Sequence, residues 1–253
     1  MILLVTDTSG KNGSVALARA GEGPKSSDVE VLEESPLTGG TFSAQLVPQI
    51  ASLLVNHSLN KRDIGAFVVV SGPGSFTGLR VGLAAVKGLA EILQKPIVPV
   101  SLLEVMARSE IFVAAGREGA PEPHVGRFVA ALDAGRGEAF VGQFEIAFTG
   151  KRMSEFRCIG ETLLGFDAMA ALLESGTAQW VATPDATIAD FLTARLPSPA
   201  KSTILKKPAR PSIHDIASVA WTKLQVGETV SPDQLEANYM RRSDAELFGK
   251  PNS

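Results

Sequence analysis

The stretch Ile64–Leu93, IGAFVVVSGPGSFTGLRVGLAAVKGLAEIL, constrains this chain more than any other. Ala66 to Val70 is a short apolar run rich in β-branched residues, the pattern of a strand covered on both faces. Gly72, Pro73 and Gly74 end it, and Ser75 or Thr77 can accept a bond from an orphan amide of the helix that follows. From Leu79 the spacing is helical, with Leu79, Leu83, Val86, Ala90 and Leu93 on one face. A second row, Gly78, Gly82, Ala85 and Leu89, is mostly small and would let another backbone approach closely. The stretch therefore reads as a buried strand, a glycine-rich turn and a long helix ending near Gln94.

A glycine-rich turn between strand and helix can hold a phosphate, because its amides point outward and the helix dipole favours an anion. Gly72, Gly74 and Ser75 are candidate phosphate-loop residues on that ground. The named loops do not fit: Gly78 is followed by Leu79 and Arg80 rather than the Lys of a P-loop, and the glycine spacing is G-x-G-x-x-x-G. The same glycines would serve a sharp turn and close helix packing with no phosphate at all.

SGPGSFTGLRVGLAAVKGLA resembles the signature of the TsaB (YeaZ) family, the dimerization subunit of the bacterial tRNA threonylcarbamoyladenosine synthase. ILLVTDTSGKNGSVAL resembles the family's opening strands, ALDAGRGEAFVGQF its middle hairpin and ANYMRRSDAE its tyrosine-arginine tail. The resemblance implies a duplicated actin-like, ribonuclease H-like α/β fold with two similar βββαβα halves. It also implies a non-catalytic subunit that pairs with the catalytic subunit TsaD. That complex transfers a threonylcarbamoyl group to N6 of the adenosine just after the tRNA anticodon, with the ATPase TsaE and the adenylate-forming TsaC completing the pathway. tRNA would be met through the complex, and the chain would form a homodimer when alone. No cofactor is required on this view, and ATP or ADP binding is expected to be weak and mainly within the complex.

Composition sets outer bounds. The 253 residues can bury one large core or two small ones, and 45% hydrophobic with 20% charged is ordinary for a soluble globular protein. A net charge of -3 argues against a chain that grips nucleic acid unaided. The single cysteine, Cys158, excludes an internal disulfide and is expected as a small buried apolar residue. MILLVTDTSG has no basic n-region and too short an apolar run for a signal peptide, and no run approaches the ~20 residues of a membrane span. The expected compartment is the cytoplasm.

Ile2 to Thr6 fits a central strand, Lys11-Asn12-Gly13 a hairpin turn, Ser14 to Arg19 a second strand and Val29 to Ser35 a third, after a polar turn over Gly21 to Asp28. Phe42 to Asn56 reads as a helix with Leu46, Ile50, Leu53 and Leu54 on one face and Val47, Ala51 and Val55 in a second stripe. Pro48 should kink this helix or delay its start. Asn60 can cap a short turn, Pro96 to Val100 is a strand, and Ser101 caps a helix through about Arg108. Glu110 to Gly126 reads as a surface insertion. Strands follow over Arg127–Asp133, Glu138–Phe148, Arg152–Ile159, Trp180–Thr183 and Thr203–Leu205, with helices over Asp167–Glu174, Ala186–Leu196 and Ser212–Val226. The element order repeats, so two α/β halves are expected: residues 1–102 and 103–211, with the helix 212–226 packed back on the first half and a tail over 227–253.

Asp7 and Ser9, after the first strand, resemble the first phosphate loop of the actin-like superfamily, or merely hydrogen-bond their own turn. His57, His124 and His214 are too far apart for the H-x-x-x-H metal pair of TsaD, and Phe42 stands where many family members have a histidine. Asp133, near Gly135 and Arg136, could poise a metal or a base, or bond its turn. No nucleophile arrangement fits, so no catalytic residue and no metal ligand are assigned. The partner interface is placed on Leu46, Val47, Ile50, Ala51 and Leu54 of the first helix and Gly78, Val81, Gly82, Ala85 and Leu89 of the second. Two such helices meeting two from a partner give a four-helix interface. The rival readings are that both helices are covered within the monomer, that the chain is an actin-like ATPase or phosphotransferase acting alone, or that it is a metallohydrolase.

Overall fold

Two five-stranded sheets carry the chain in the computed structural model, which describes residues 1–21, 28–115, 126–149, 152–175, 178, 180–196, 204–206 and 208–240. The chain divides into two compact units: Met1–Leu102 with Pro211–Ser253, and Leu103–Arg210.

In the first unit, β1 (Ile2–Asp7), β2 (Asn12–Ala20), β3 (Val29–Thr38), β4 (Ile64–Gly72) and β5 (Ile97–Ser101) form a sheet of order β3-β2-β1-β4-β5. β1 pairs antiparallel with β2 and parallel with β4, and β4 pairs parallel with β5. Parallel neighbours need a helical crossover. Two of those helices are α1 (Phe42–Asn56) and α2 (Phe76–Leu93). Leu4, Val15, Leu17, Phe67 and Val69 meet Leu46, Leu53, Leu79 and Val86 of these helices in one core. Leu3, Val5 and Val68 alternate with that set and point to the other face of the sheet. α6 (Ile213–Gln225) packs against the strands there, burying Ile213, Ile216, Ala217 and Ala220. Burying each large aliphatic side chain contributes about 1.5–3 kcal/mol.

The second unit repeats the plan. β6 (Gly126–Gly135), β7 (Glu138–Thr149), β8 (Arg152–Gly165), β9 (Trp180–Ala182) and β10 (Ile204–Lys206) take the order β10-β9-β6-β7-β8. α4 (Phe166–Glu174) and α5 (Ala186–Arg195) cover one face through Met169, Leu173, Ile188 and Leu192. Towards the other face, Leu103 at the start of α3 (Leu102–Ala115) lies against Gly142 of β7, and the Arg108 guanidinium lies 4.0 Å over the Phe156 ring. The fold is the duplicated actin-like fold. Each half runs β-β-β-α-β-α-β with the same strand order.

Several sequence expectations are corrected. α1 begins at Phe42, so Pro48 does not delay it; the Thr41 carbonyl accepts from the amides of Ala44 and Gln45, and Leu46, Ile50 and Leu53 are buried beside the proline. α3 continues past Arg108 to Ala115, so the insertion expected from Glu110 begins as helix; residues 116–125 lie outside the described residues, as do 22–27 of the polar turn. β8 is longer than expected, and β3 extends to Thr38. Cys158 is exposed rather than buried, because it lies on β8, the edge of its sheet. Ser75 and not Thr77 caps α2, its Oγ accepting from the Gly78 amide at 3.3 Å. Asn60 and Asp63 form a reciprocal cap around Lys61–Asp63, and Ser212 and Asp215 do the same for α6.

Candidate functional site

The two candidate phosphate loops lie side by side in the first unit, but against each other. Asp7 Oδ1 accepts from the Ser9 amide at 2.8 Å and from Ser9 Oγ at 2.6 Å. The Ser75 amide, at the start of α2, donates to the Ser9 carbonyl at 2.7 Å. A side chain at Gly74 would collide with Ser9, and Gly72 holds φ +147 with the Asn238 carbonyl 2.8 Å from where its Cβ would be. The Ser75 amide is thus committed to a chain atom, and a cavity of about 630 Å³ lies beside the contact, lined by Gly10, Lys11, Asn12, Ser75, Thr77 and Gly78 among others. Asp133 is likewise turn-bonded, accepting from the Gly135 amide at 2.7 Å. Among the described residues no three histidine, cysteine or acidic side chains converge on a point that could hold a metal ion. His57 pairs with Glu33 at 3.0 Å, His214 is exposed on α6, and His124 lies outside the described residues.

Half of the expected interface is core instead. Leu46, Ile50 and Leu54 are buried in the first unit. Gly78 and Gly82 face inward: a Cβ at Gly78 would strike the Thr8 carbonyl, and one at Gly82 the Thr8 Oγ1. The backbone that approaches this small row is the chain's own β1–β2 loop, so these five residues are withdrawn from the docking face. Phe42 is also core, its ring 3.1–3.3 Å from where side chains of Gly13 and Gly78 would begin, which leaves no room there for a polar role.

What remains outward is a second apolar stripe. Val47 is 57% exposed, Val55 75% and Ile92 74%. Ala51 and Ala84 are exposed, and Val81, Ala85 and Leu89 are half-buried between them and the core. A groove of about 480 Å³ runs between α1 and α2, lined by Val47, Phe76, Arg80, Val81, Ala84 and Ala85 among others. Val55 and Ile92 extend the expected face beyond the residues the sequence singled out.

The segment after α6 closes one end of this face. Val230 exchanges two backbone bonds with Ile97 on the β5 edge, Leu235 is buried, and the Asn238 amide donates to the Ser71 carbonyl at 2.8 Å. Tyr239 then packs on Phe76 in a tilted contact, ring centroids 4.8 Å apart, and its hydroxyl accepts from Arg80 Nε at 3.2 Å. The Arg80 guanidinium lies 3.7 Å over the Phe76 ring. The residues Arg241 and Arg242 of the expected tail motif lie outside the described residues.

The family model for TsaD, tRNA N6-adenosine threonylcarbamoyltransferase, matches residues 37–220. The chain belongs to this family, on its TsaB (YeaZ) branch. It is 32% identical to the tRNA threonylcarbamoyladenosine biosynthesis protein TsaB of Haemophilus influenzae, over 56% of this chain and 53% of that protein. Against the TsaB of Bacillus subtilis it is 32% identical over 57% and 56%. The chain spans about half the length of the curated relatives it matches. YeaZ from Pseudomonas aeruginosa superposes with a TM-score of 0.65 at 26% identity, covering 94% of this chain and 99% of that one. No described helix is long and apolar enough to cross a membrane.

Proposed function

We propose that this chain is the non-catalytic partner subunit of a tRNA threonylcarbamoyladenosine synthase. It binds the TsaD-like catalytic subunit through the outer stripe of α1 and α2 and supports transfer of threonylcarbamoyl to N6 of the adenosine following the anticodon. The observation that carries this reading is that Val47, Val55 and Ile92 stay exposed after the core beneath them is complete. An apolar row of this kind has no role in a lone monomer and is the usual mark of a protein partner. The names of the relatives support the pathway, and the bonds that Asp7, Ser9 and Ser75 make within the chain favour a structural use of the two loops over an independent phosphotransferase activity.

On the same reading the complex works in the cytoplasm, meets tRNA mainly through its catalytic subunit and engages a TsaE-like ATPase. ATP or ADP binding belongs to the assembled complex, and the chain alone pairs with itself through the same stripe. The test is reconstitution. This chain with TsaD, TsaC and TsaE homologues should modify tRNA, each preparation lacking it should not, and the chain alone should not. Modification at full rate without this chain would refute the reading.

A further inference from the structure

The groove between α1 and α2 is apolar and carries a single charge. Of the described side chains that line it, only Arg80 is ionisable, and α1 has no acidic or basic residue along its length. Arg80 is also held in an uncommon way. Its Nε donates to the Tyr239 hydroxyl at 3.2 Å, and its guanidinium lies 3.7 Å over the Phe76 ring. A surface arginine ordinarily loses much rotamer freedom when it binds. Here a ring and a hydrogen bond fix the side chain beforehand. Tyr239 is itself delivered by a fastened segment, through Val230 on Ile97, buried Leu235 and the Asn238 amide on the Ser71 carbonyl. The two terminal nitrogens of Arg80 have no acceptor among the described residues, and they carry most of the guanidinium's donors. Next to Arg80 the exposed row continues with Ala84 and Gly88. Gly88 meets nothing of the monomer within 4 Å of where a Cβ would be, unlike Gly78 and Gly82. Another backbone can therefore come close beside the guanidinium.

We infer that Arg80 is a specificity-determining residue of this groove, and that it takes a carboxylate of the catalytic subunit. The visiting Asp or Glu stands beside an apolar side chain that fills the groove, and it accepts end-on from both terminal nitrogens of Arg80. Tyr239 is a positioning residue that acts through Arg80: it holds Nε so that the remaining donors point outward. A carboxylate fits better than a phosphate chain. Nucleic acid is gripped by several cations together, whereas this groove offers one, on a chain of net charge -3. A lone, oriented guanidinium in apolar surroundings selects one acidic side chain and rejects a basic or unpaired polar one. The inference rests on the reading of α1 and α2 as a docking face for that subunit. It adds the chemistry of what lands there and the part of the chain that prepares it.

Calorimetric titration of the full chain with the TsaD-like subunit, at low and at high salt, tests it. Arg80→Gln should weaken binding by about tenfold or more at low salt, and its affinity should respond less to salt than that of the wild type. Arg80→Lys keeps the charge and loses the fork, so it should retain the salt response and bind about threefold more weakly. Tyr239→Phe keeps the ring and removes the acceptor; it should weaken binding by about two- to threefold with an unchanged melting temperature. That variant stays informative if Arg80→Gln loosens the tail. A purely structural Arg80 would lower the melting temperature and leave the salt response as in the wild type, which would overturn the inference. So would Arg80→Gln binding within about twofold of the wild type at low salt. If Arg80→Gln instead lowers retention of tRNA by the chain and leaves subunit binding intact, the ligand is a phosphate and the inference falls. Val47→Glu separates the two claims. If it binds the subunit as the wild type does, the docking-face reading fails and takes the inference with it; if it loses binding while Arg80→Gln does not, the assignment of Arg80 fails alone.

Discussion

The two halves share a strand order and differ at the same joint. In the first unit, the loop after β1 is tied to the start of α2 by backbone alone, Ser75 amide to Ser9 carbonyl, with glycines on both sides of the contact. In the second unit, the corresponding join between β6 and α5 is made by a side chain. Asp185 Oδ2 accepts from the Asp133 amide at 2.8 Å, and Asp185 Oδ1 accepts from Arg210 at 2.6 Å. The helices have diverged in parallel. α1 and α2 are 15 and 18 residues long and keep an apolar stripe outside, whereas α4 and α5 have 9 and 10 residues. Those shorter helices expose no large apolar side chain among the described residues, and Phe166 and Phe191 turn to each other at 5.3 Å. Duplication kept the topology, which the cores enforce. It left the surface of each half free to diverge: one keeps an apolar stripe outside, and the other closes on itself.

The largest effect expected is at the glycine contact. Gly82→Phe places a ring against Thr8 with no slack in the backbone, and should destabilise the first unit by about 2–3 kcal/mol in chemical denaturation. A stable Gly82→Phe protein would mean that α2 is not tied to the β1 end and would erase the contrast between the halves. Val47→Glu should act oppositely. The charge sits on the exposed stripe, so stability should change by less than about 0.5 kcal/mol, while binding of the catalytic subunit falls by about a hundredfold in calorimetry. Equal loss of stability and binding would mean that Val47 belongs to the core.

Asp185→Ala probes the side-chain version of the joint. It leaves the Asp133 amide without its acceptor and Arg210 without its partner, and should cost about 1–2 kcal/mol of stability. Equivalent loss from Ser9→Ala would show that both joints depend on side chains. The smallest effect is electrostatic. The Arg157 guanidinium bonds Glu145 and, with Arg127, holds its carboxyl below the usual value of 4.5 against an opposing desolvation. A lowered folded-state pKa contributes stability that is present above the ordinary glutamate range and is lost as pH falls through it towards the lowered value. The cluster is open to water, so the difference between wild type and Glu145→Gln should be a shallow one, read as converging melting temperatures below about pH 4. Curves that stay parallel through that range would remove any contribution from the cluster.

The halves were also unequally legible. Strand and helix order could be read because β1, β4 and α2 are coded by local apolar period and by glycine breaks. The outward side of α1 and α2 was half-read. α1 and α2 each show two apolar stripes, and period alone does not tell which one a sheet will cover. Small residues gave a misleading signal at Gly78 and Gly82, since a loop of the same chain needs close approach as much as a partner does. Gly88, the outward glycine, differs from them only in three dimensions. The Asp7 and Ser9 turn was readable as an alternative to a phosphate loop; the bond from Ser75 that joins the two loops is a long-range contact with no local signature. The Asp185 joint lies 52 residues from its partner and was not found in the sequence at all. Tyr239 reaches back 159 positions to Arg80, and only the order of the chain, not its pattern, could have hinted at it.

The place of α6 has a consequence for synthesis. It covers a face of the first sheet, yet it is made after all of the second unit. A nascent chain leaving the ribosome therefore presents β1, β4 and β5 with one apolar face bare while roughly a hundred further residues are translated at ~5–20 per second. The second unit is contiguous and can close first. For several seconds the emerging product is a finished half tethered to an unfinished one, a natural client for a holding chaperone. Ribosomes stalled between Leu103 and Arg210 would release fragments that aggregate through that uncovered sheet.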